Sequence, residues 1–326
     1  MNRRDVLALG GSVLNLPLLG PALAQASYPD RPIRLIVPFS PGGVTDVVGR
    51  RWAERMKSLL GTVFVENKPQ GGGSMGAGEG ARAQPDGHTL VFGNTSTQVL
   101  IPMVMTRPPY DGVKDFIPIY ILCISPLCFV VHESVPVRTL PELVAHVKTN
   151  ASKLSYGSAG VGTMTHLAGE LFKQLINTPD LVHVPYKGSA PGVGDLVSGH
   201  IPMMTPNVTP QLLDFHRAGR VRILAVMTPN RIKAAPDIPT AEEAGLTGMI
   251  SYLFNGLFAP AGTPQPVIEK IAQATRAAMA EEEFRRILVE SGFEPLESGP
   301  EPAARMVAEE YARWAPIIKK IGFKMD

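Results

Sequence analysis

Runs of residues that favour β-strands alternate with runs that favour helices along most of this chain, and this alternation restricts its fold more than any other feature. The predicted strands cover residues 33–39, 63–66, 89–92, 154–156, 181–185, 201–204 and 221–227, and the predicted helices cover 44–60, 74–83, 163–176, 190–198, 266–280 and 302–320. Such alternation is typical of parallel sheets with helices on both faces. The sequence therefore predicts a doubly wound α/β fold, and a length of 326 residues favours two lobes.

The order of these elements predicts how the chain divides between the lobes. A long apolar segment at residues 117–132 could run from one lobe into the other, and a stretch rich in Pro, Arg and Lys at 228–240 is expected to lead back. The C-terminal helices would then complete the first lobe, which suits a hinged clamshell. We expect lobe 1 to comprise residues 27–122 and 236–326, and lobe 2 to comprise residues 123–235.

Residues 1–26 are predicted to be a signal peptide. Arg3 and Arg4 precede a short apolar stretch, and Ala24-Gln25-Ala26 matches a cleavage site. The apolar stretch is too short to cross a bilayer. The paired arginines fit a twin-arginine signal and an ordinary secretory signal equally well. We therefore expect a periplasmic protein that is exported by the Sec or the twin-arginine route.

Charge and cysteine content narrow the function further. The 31 basic and 29 acidic side chains give a formal charge of +2 and form no basic stripe, so a nucleic-acid partner is not expected. Cys123 and Cys128 lie in an extended apolar segment, which would separate their Cα atoms by ~16 Å against a limit of ~7 Å for a disulfide. The sequence favours two buried free thiols, although a turn at Ser125-Pro126 leaves a bridge open.

Three patterns match catalytic or ligand-binding motifs, and each lacks the context that its chemistry needs. Ser74 fits the nucleophile motif G-x-S-x-G, but residues 68–71 already lie between it and the preceding strand, and a serine at the N-cap or in the first turn of the next helix is the simpler interpretation. Residues 71–76 fit G-x-G-x-x-G without the acidic residue that would bind a ribose. His166 and Glu170 share a helix face but have no third metal ligand. We therefore expect no enzyme, no cofactor and no metal.

One structural device recurs: a strand ends in a loop rich in Gly, Ser and Thr that leads into a helix. It occurs at residues 38–46, 93–97, 156–163 and 185–190. A helix N-terminus binds anions through unpaired N–H groups and the helix dipole, without a charged side chain. Each loop alone is compatible with an ordinary βα turn. Because ligands bind at the carboxyl ends of strands in open α/β sheets, the four together predict an anion held from both lobes.

These loops lie within longer segments that resemble the Bug-type extracytoplasmic solute receptors, the substrate-binding proteins of tripartite tricarboxylate transporters. The resemblance covers residues 28–326 and includes VPFSPGGVTD (37–46), VENKP (65–69), YGSAGVGT (156–163), HVPYKG (183–188) and GLFAPAGTP (256–264). It implies a periplasmic-binding-protein fold in which two lobes, joined by a hinge, close on a small carboxylate in the cleft between them.

The resemblance also implies which residues contact the ligand. By matching position, they are Phe39, Gly43, Asp46 and Ser96 in the first lobe and Ser158, Ala159, Gly160 and Thr163 in the second, with Asn207 as a further candidate. Asp46 has an equally good structural interpretation, because an acidic residue in the first turn of a helix stabilises its dipole. His166 and Lys187 are expected to be packing or rim residues.

The sequence thus predicts a periplasmic receptor, active as a monomer, for a dicarboxylate, an aromatic carboxylate or an acidic amino acid. The expected partners are the membrane subunits of a tripartite transporter. The alternatives are a receptor that feeds a sensor kinase and a secreted α/β hydrolase that uses Ser74. Two departures from the family pattern are His88, where Tyr is common, and Phe254-Asn255, where Trp is often found. The second is expected to alter one wall of the pocket.

Overall fold

The structure is a computed structural model, and it describes residues 28–325; the predicted signal peptide lies outside the described residues. The strands are β1 (Ile33–Val37), β2 (Val63–Asn67), β3 (Thr89–Asn94), β4 (Phe116–Pro126), β5 (Cys128–His132), β6 (Ser155–Ser158), β7 (Val182–Pro185), β8 (Met203–Met204), β9 (Val221–Val226), β10 (Tyr252–Pro260) and β11 (Glu294–Pro295). The helices are α1 (Val44–Met56), α2 (Ser74–Ala81), α3 (Ile101–Val104), α4 (Leu140–Asn150), α5 (Met164–Ile176), α6 (Ser189–Val197), α7 (Pro210–Arg217), α8 (Gln265–Ala280), α9 (Glu282–Glu290) and α10 (Pro300–Ile321). Among residues 28–325, no helix combines the length and apolar character that a membrane span requires.

The strands form two sheets, one in each lobe. The first has the order β11-β4-β10-β3-β1-β2, and the second has the order β7-β6-β8-β5-β9. The two-lobed α/β fold is therefore confirmed, but the expectation of parallel sheets is wrong. β1 is parallel to β2 and β3, and β6 is parallel to β7 and β8, whereas β4, β5 and β10 pair antiparallel to their neighbours. The antiparallel strands are those that carry the chain between the lobes or complete a lobe afterwards.

The long apolar segment contains two strands that belong to different sheets, and we propose that the first crossing between the lobes lies between them. β4 stays paired with β10 up to Pro126, and β5 joins the second sheet from Cys128 onward. Cys123 and Cys128 therefore lie in different sheets, and both are buried free thiols.

We propose that the second crossing lies near residue 251, beyond the stretch at residues 228–240 that the sequence favours. Thr240 still bridges to Val226 of the second sheet, and the N–H of Ser251 donates to the carbonyl of Met227 immediately before β10 begins. From this pairing we propose boundaries at residues 126 and 251, in place of the expected 122 and 235. The proposed boundaries differ from the expected ones because they follow the strand pairing rather than the local composition.

Three clusters of buried apolar side chains hold these layers together. One packs α1 and α8 against the first sheet and contains Trp52, whose Nε1–H donates to Thr275 Oγ1 at 3.0 Å. A second packs α6 and α7 against the second sheet. The third runs from Trp314 of α10 through Phe129 of β5 to Phe172 of α5. One apolar core therefore joins elements of both lobes.

The glycines of α5 and α6 provide a matched test of this packing. A methyl group at Gly169 would lie 2.0 Å from the ring of Tyr156, which is fully buried and donates its hydroxyl to Glu170 Oε1 at 2.7 Å. Because that ring is held in place, Gly169→Ala should lower the free energy of unfolding by about 1–3 kcal/mol. Gly194 faces open space, so Gly194→Ala should raise it by up to about 1 kcal/mol through helix propensity. Urea denaturation checks both changes, and a similar effect of the two substitutions would contradict this packing.

Candidate functional site

A cleft of about 1050 Å³ opens between the lobes. Its walls are the loops that follow β1, β2 and β3 in the first lobe and β6 and β7 in the second, all at the carboxyl ends of their strands. Asn207 and Leu253 contribute to the lining from segments close to the crossings between the lobes. A molecule bound in this cleft would therefore contact both lobes.

The loop between β1 and α1 is shaped by Asp46. The Oδ2 atom of Asp46 accepts from the backbone N–H of Gly42 at 2.8 Å and from Arg50 Nε at 2.9 Å, and its Oδ1 accepts from Asn67 Nδ2 at 2.7 Å. The same Nδ2 group donates to the carbonyl of Phe39 at 2.8 Å. Burial alone would raise the pKa of Asp46, but these hydrogen bonds outweigh it and hold the pKa below its usual value. Asp46 is thus an ionised support behind the loop.

A buried polar network anchors α1 to three strands at the base of the first lobe. Thr45 Oγ1 accepts from Asn94 Nδ2 at 2.8 Å and donates to Asn255 Oδ1 at 2.9 Å. Asn255 Nδ2 in turn donates to Ser125 Oγ at 2.8 Å. Asn94 also orders the loop after β3, because its Oδ1 accepts from the N–H of Ser96 at 2.9 Å. Asn255 therefore supports the cleft through Thr45 rather than forming part of its wall.

In the second lobe, the loop between β6 and α5 is organised by hydroxyl groups. Ser158 is fully buried, and its Oγ lies 2.7 Å from His183 Nε2 and accepts from the N–H of Gly160 at 3.1 Å. Thr163 is the N-cap of α5: its Oγ1 donates to the carbonyl of Gly160 at 2.7 Å and accepts from the N–H of His166 at 3.5 Å. Gly160 has φ of 135°, a conformation that favours glycine.

Two stacked histidines lie behind this loop. The rings of His166 and His183 are 4.0 Å apart between centroids, and His166 Nδ1 accepts from the N–H of Gly162 at 3.2 Å. That nitrogen is therefore unprotonated, and Nε2 faces Glu170 Oε1 at 4.0 Å. Burial lowers the pKa of His166 to about 4, and the ammonium of Lys173 contributes to this shift. Burial, followed by the effect of His166, lowers the pKa of His183 to about 3.

One hydrogen bond joins the lobes directly within the cleft. Ser96 Oγ, in the first lobe, accepts from the N–H of Met164 at 3.1 Å, and Met164 is the first residue of α5. Together with Thr163, Ser96 therefore satisfies N–H groups in the first turn of this helix. The N-terminus of α5 is less open to an anion than the sequence alone indicates.

The N-termini of α1 and α6 are different, because neither is capped by a side chain. The N-cap residues are Gly43 and Gly188, and both line the cleft with the residues that follow them, Thr45 in the first lobe and Ala190 in the second. The loop before α6 is fixed to the neighbouring loop, since the N–H of Gly188 donates to the carbonyl of Ala159 at 2.9 Å. Two open helix N-termini, one from each lobe, thus border the same cleft.

The structure brings most of the predicted ligand contacts together. Seven of the nine line the cleft: Phe39, Gly43, Ser96, Ala159, Gly160, Thr163 and Asn207. Asp46 and Ser158 are not part of the lining, and each forms hydrogen bonds behind the loop to which it belongs. Sequence reasoning did not single out Thr45, Asn94, Ala190 or Phe293, which also line the cleft. The loop motif at residues 185–190 was the sequence signal that could have identified Ala190, whereas no local sequence pattern indicates that Phe293 lines the cleft.

The described lining of the cleft carries charge of one sign, which is positive. Among the residues between 28 and 325 that line the cleft, Lys187 is the only charged side chain, and none is Asp or Glu. In the same part of the chain, no three His, Cys, Asp or Glu side chains are grouped so that they could hold a metal ion.

A family model described as "Tripartite tricarboxylate transporter family receptor" matches residues 48–323. The chain belongs to this family. A relative from Pseudomonas sp. (strain P51), the UPF0065 protein in the tcbD-tcbE intergenic region, is 36% identical over 294 residues, which are 90% of this chain and 87% of that one. The periplasmic binding protein BugD has a similar structure, with a TM-score of 0.82 and 34% identity over 92% of this chain and 100% of that chain.

Two solved structures of similar receptors contain carboxylic acids. An R. palustris protein with adipate has a TM-score of 0.84 and 30% identity, and the alignment covers 91% of this chain and 99% of that chain. MatC from Rhodopseudomonas palustris with bound malate has a TM-score of 0.82 and 31% identity, and the alignment covers 89% of this chain and 100% of that chain.

Membership of this family makes the chain a solute-binding receptor rather than an enzyme, and confirms the Bug-type resemblance. The hydrolase alternative is therefore set aside. Ser74 begins α2, is 4% exposed and does not line the cleft, so it occupies the helix-start position that its sequence context indicates.

Acid should destabilise this receptor through the stacked histidines. His166 and His183 have pKa values of about 4 and 3 in the folded protein, and both would titrate near about 6.5 in an unfolded chain. Between about pH 4 and about pH 6.5, the unfolded chain binds more protons than the folded protein does. The free energy of unfolding therefore falls as the pH decreases through this range. The slope approaches ~1.4 kcal/mol per pH unit for each histidine. Urea denaturation at several pH values between 7 and 5 measures this slope.

The variant His166→Asn provides the control for this prediction. Asn Oδ1 can replace Nδ1 as the acceptor for the N–H of Gly162, but the amide does not titrate in this range. We expect a shallower pH dependence in the variant than in the wild type. The same pH dependence in both proteins would show that His166 is not the group responsible.

Proposed function

We propose that this receptor captures a small organic carboxylate in the periplasm and delivers it to the membrane subunits of a tripartite tricarboxylate-type transporter. The proposal rests on one observation: the uncapped N-termini of α1 and α6 border the same cleft, and no Asp or Glu of residues 28–325 belongs to the lining of that cleft. Unpaired N–H groups and the positive ends of two helix dipoles favour an anion at this position. A carboxylate fits because its two oxygens can each accept several hydrogen bonds.

In the proposed complex, the first lobe holds the carboxylate at the start of α1, where Gly43 and Thr45 lie. The second lobe closes over it with the loop containing Ala159 and Gly160 and with the start of α6. The Ser96–Met164 hydrogen bond joins the lobes beside this position and would favour the closed arrangement. We infer that the lobes rotate about β4–β5 and the segment before β10, where the chain crosses between them.

We further propose a division of roles among the predicted site residues. Those that line the cleft, Phe39, Gly43, Ser96, Ala159, Gly160, Thr163 and Asn207, contact the ligand or its bound water. Asp46 and Ser158 do not contact the ligand and act indirectly, because each fixes the backbone of the loop that forms the contact. Substitution of either is expected to weaken ligand binding through loop geometry.

Adipate and malate in the two solved relatives support small aliphatic acids as the first compounds to test. A thermal-shift screen should compare aliphatic dicarboxylates, aromatic carboxylates and acidic amino acids. A true ligand at 100 times its dissociation constant should stabilise the protein by about 2.7 kcal/mol.

A charge placed at the start of α6 tests the proposed mode of binding. Ala190 is exposed and lines the cleft at the second residue of α6. Ala190→Asp should preserve or improve folding, because an acidic residue suits this end of the helix. It should nevertheless weaken carboxylate binding by about tenfold or more through like-charge repulsion and competition for the N–H groups. The matched control is Ala190→Asn, which has the same shape without the charge. Calorimetric titration with the best ligand of the screen compares the two, and equal affinities would contradict the proposal.

A further inference from the structure

We propose that the segment after α10, residues 322–325, positions the ligand loop between β6 and α5, residues 159–163, from outside the cleft. We call this segment the α10 tail. Its residues Phe323 and Met325 do not line the cleft, but one contacts the loop itself and the other contacts the histidine behind it. They are therefore positioning residues, and the effect that we expect on ligand affinity rests on the proposed function.

The α10 tail is fixed beside α3 by its backbone. Gly322, the C-cap residue of α10, has φ of 70° and ends the helix. The N–H of Met325 donates to the carbonyl of Val104 at 2.9 Å, and the carbonyl of Met325 accepts from the N–H of Thr106 at 2.9 Å. Met325 also forms a parallel β-bridge with Met105. Because backbone groups form this attachment, substitutions of the side chains of the tail should leave it in place.

The side chain of Met325 packs against Gly162 in the ligand loop. A methyl group at Gly162 would lie 2.6 Å from Met325 Sδ and 3.7 Å from both Met325 Cε and Val104 Cγ2. Gly162 has φ of 76°, a conformation that favours glycine. Gly162 does not line the cleft, whereas Val161 and Thr163 on either side of it do. The thioether of Met325 therefore supports the loop from behind.

Phe323 contacts the histidine that holds the same glycine. The rings of Phe323 and His166 are 4.8 Å apart between centroids and meet edge to face at 75°. His183 stacks on His166 at 4.0 Å, so two aromatic neighbours restrict the orientation of the His166 ring. His166 Nδ1 accepts from the N–H of Gly162 at 3.2 Å. Gly162 is thus held directly by Met325, and by Phe323 through His166.

These contacts connect the ligand loop of the second lobe with a ligand loop of the first. α3, to which the tail is bound, follows directly on the helical turn at residues 96–100, and Ser96 in that turn lines the cleft. The tail therefore supports the loop after β6 from an element that continues the loop after β3. A loop that is ordered before a ligand arrives loses less entropy on binding. Loss of the two contacts should therefore weaken binding without removing any group that contacts the ligand.

Amide hydrogen exchange in the ligand-free protein tests the positioning itself. The N–H groups of Ala159, Gly160, Gly162 and Thr163 are hydrogen-bonded within this region, so their exchange reports opening of the loop. In the double variant Phe323→Ala/Met325→Ala, exchange at residues 159–166 should be about tenfold faster than in the wild type. Exchange in α8, which belongs to a different apolar cluster from the tail, should stay as in the wild type.

This comparison distinguishes positioning of the loop from a general loss of stability. Both side chains pack at the edge of the third apolar cluster, so their removal also lowers the free energy of unfolding. Unchanged exchange of the loop in the folded double variant, or equal acceleration in the loop and in α8, overturns the inference. Thermal denaturation establishes folding, and the single variants Phe323→Ala and Met325→Ala provide the same comparison if the double variant does not fold.

Two further variants serve as controls. Lys324→Ala changes the same tail at an exposed side chain whose Nζ donates to the carbonyl of Met103 at 3.1 Å, and it should leave exchange of the loop unchanged. Met325→Leu restores an apolar side chain of similar volume, so its loop should exchange within about threefold of the wild type. Acceleration by Lys324→Ala as large as that by Met325→Ala, or no rescue by Met325→Leu, would contradict the role given to the Met325 side chain.

Calorimetric titration then measures the effect on binding. The probes are malate, adipate and the acid that stabilises the wild type most in the thermal-shift screen. For each acid that the wild type binds, the double variant should bind about tenfold more weakly, mainly through faster dissociation, and Lys324→Ala should bind as the wild type does. Equal affinities in the wild type and the double variant would contradict the inference and leave the proposed function intact. If the wild type binds no acid of the screen, the proposed function fails, and hydrogen exchange still decides whether the tail positions the loop.

Discussion

The antiparallel pairing of β10 with β4 is the interaction on which the rest of the structure depends. β4 leaves the first lobe and β10 returns to it, so their pairing closes a lobe that is made of two separate parts of the chain. The same pairing brings Asn255 beside Thr45 and Ser125, and the resulting buried hydrogen bonds fix the start of α1. Loss of one partner would leave buried polar groups unsatisfied, at a cost of about 1–3 kcal/mol for each group. The stability of the first sheet and the geometry of the loop between β1 and α1 are therefore linked.

On this framework, we propose an anion site whose lining, in the described part of the chain, contains no arginine. The loops owe their shape to residues behind them, Asp46 in the first lobe and Ser158 with two neutral histidines in the second. Their backbone donors are thereby held in place before a ligand arrives, which reduces the entropy lost on binding.

Much of this could be predicted from sequence because the relevant signals are local. Glycine- and serine-rich loops between a strand and a helix identify the ends of β1, β3, β6 and β7, and the cleft lies at these ends. β10 was not predicted, because its apolar run is recognisable as a strand only when β3 and β4 flank it. The orientation of Asp46 and Ser158 could not be predicted either. Their partners Asn67 and His183 are 21 and 25 residues away, so no local periodicity indicates whether these side chains face the cleft or its support.

The central claim is that backbone N–H groups at the starts of α1 and α6, rather than a charged side chain, hold the ligand carboxylate. A crystal structure of the receptor with the tightest-binding acid measures this most directly. The account predicts carboxylate oxygens at about 2.7–3.2 Å from backbone nitrogens at both helix starts, directly or through one water molecule, with the ammonium of Lys187 outside hydrogen-bond distance. A carboxylate paired with Lys187 and remote from both helix starts would contradict it.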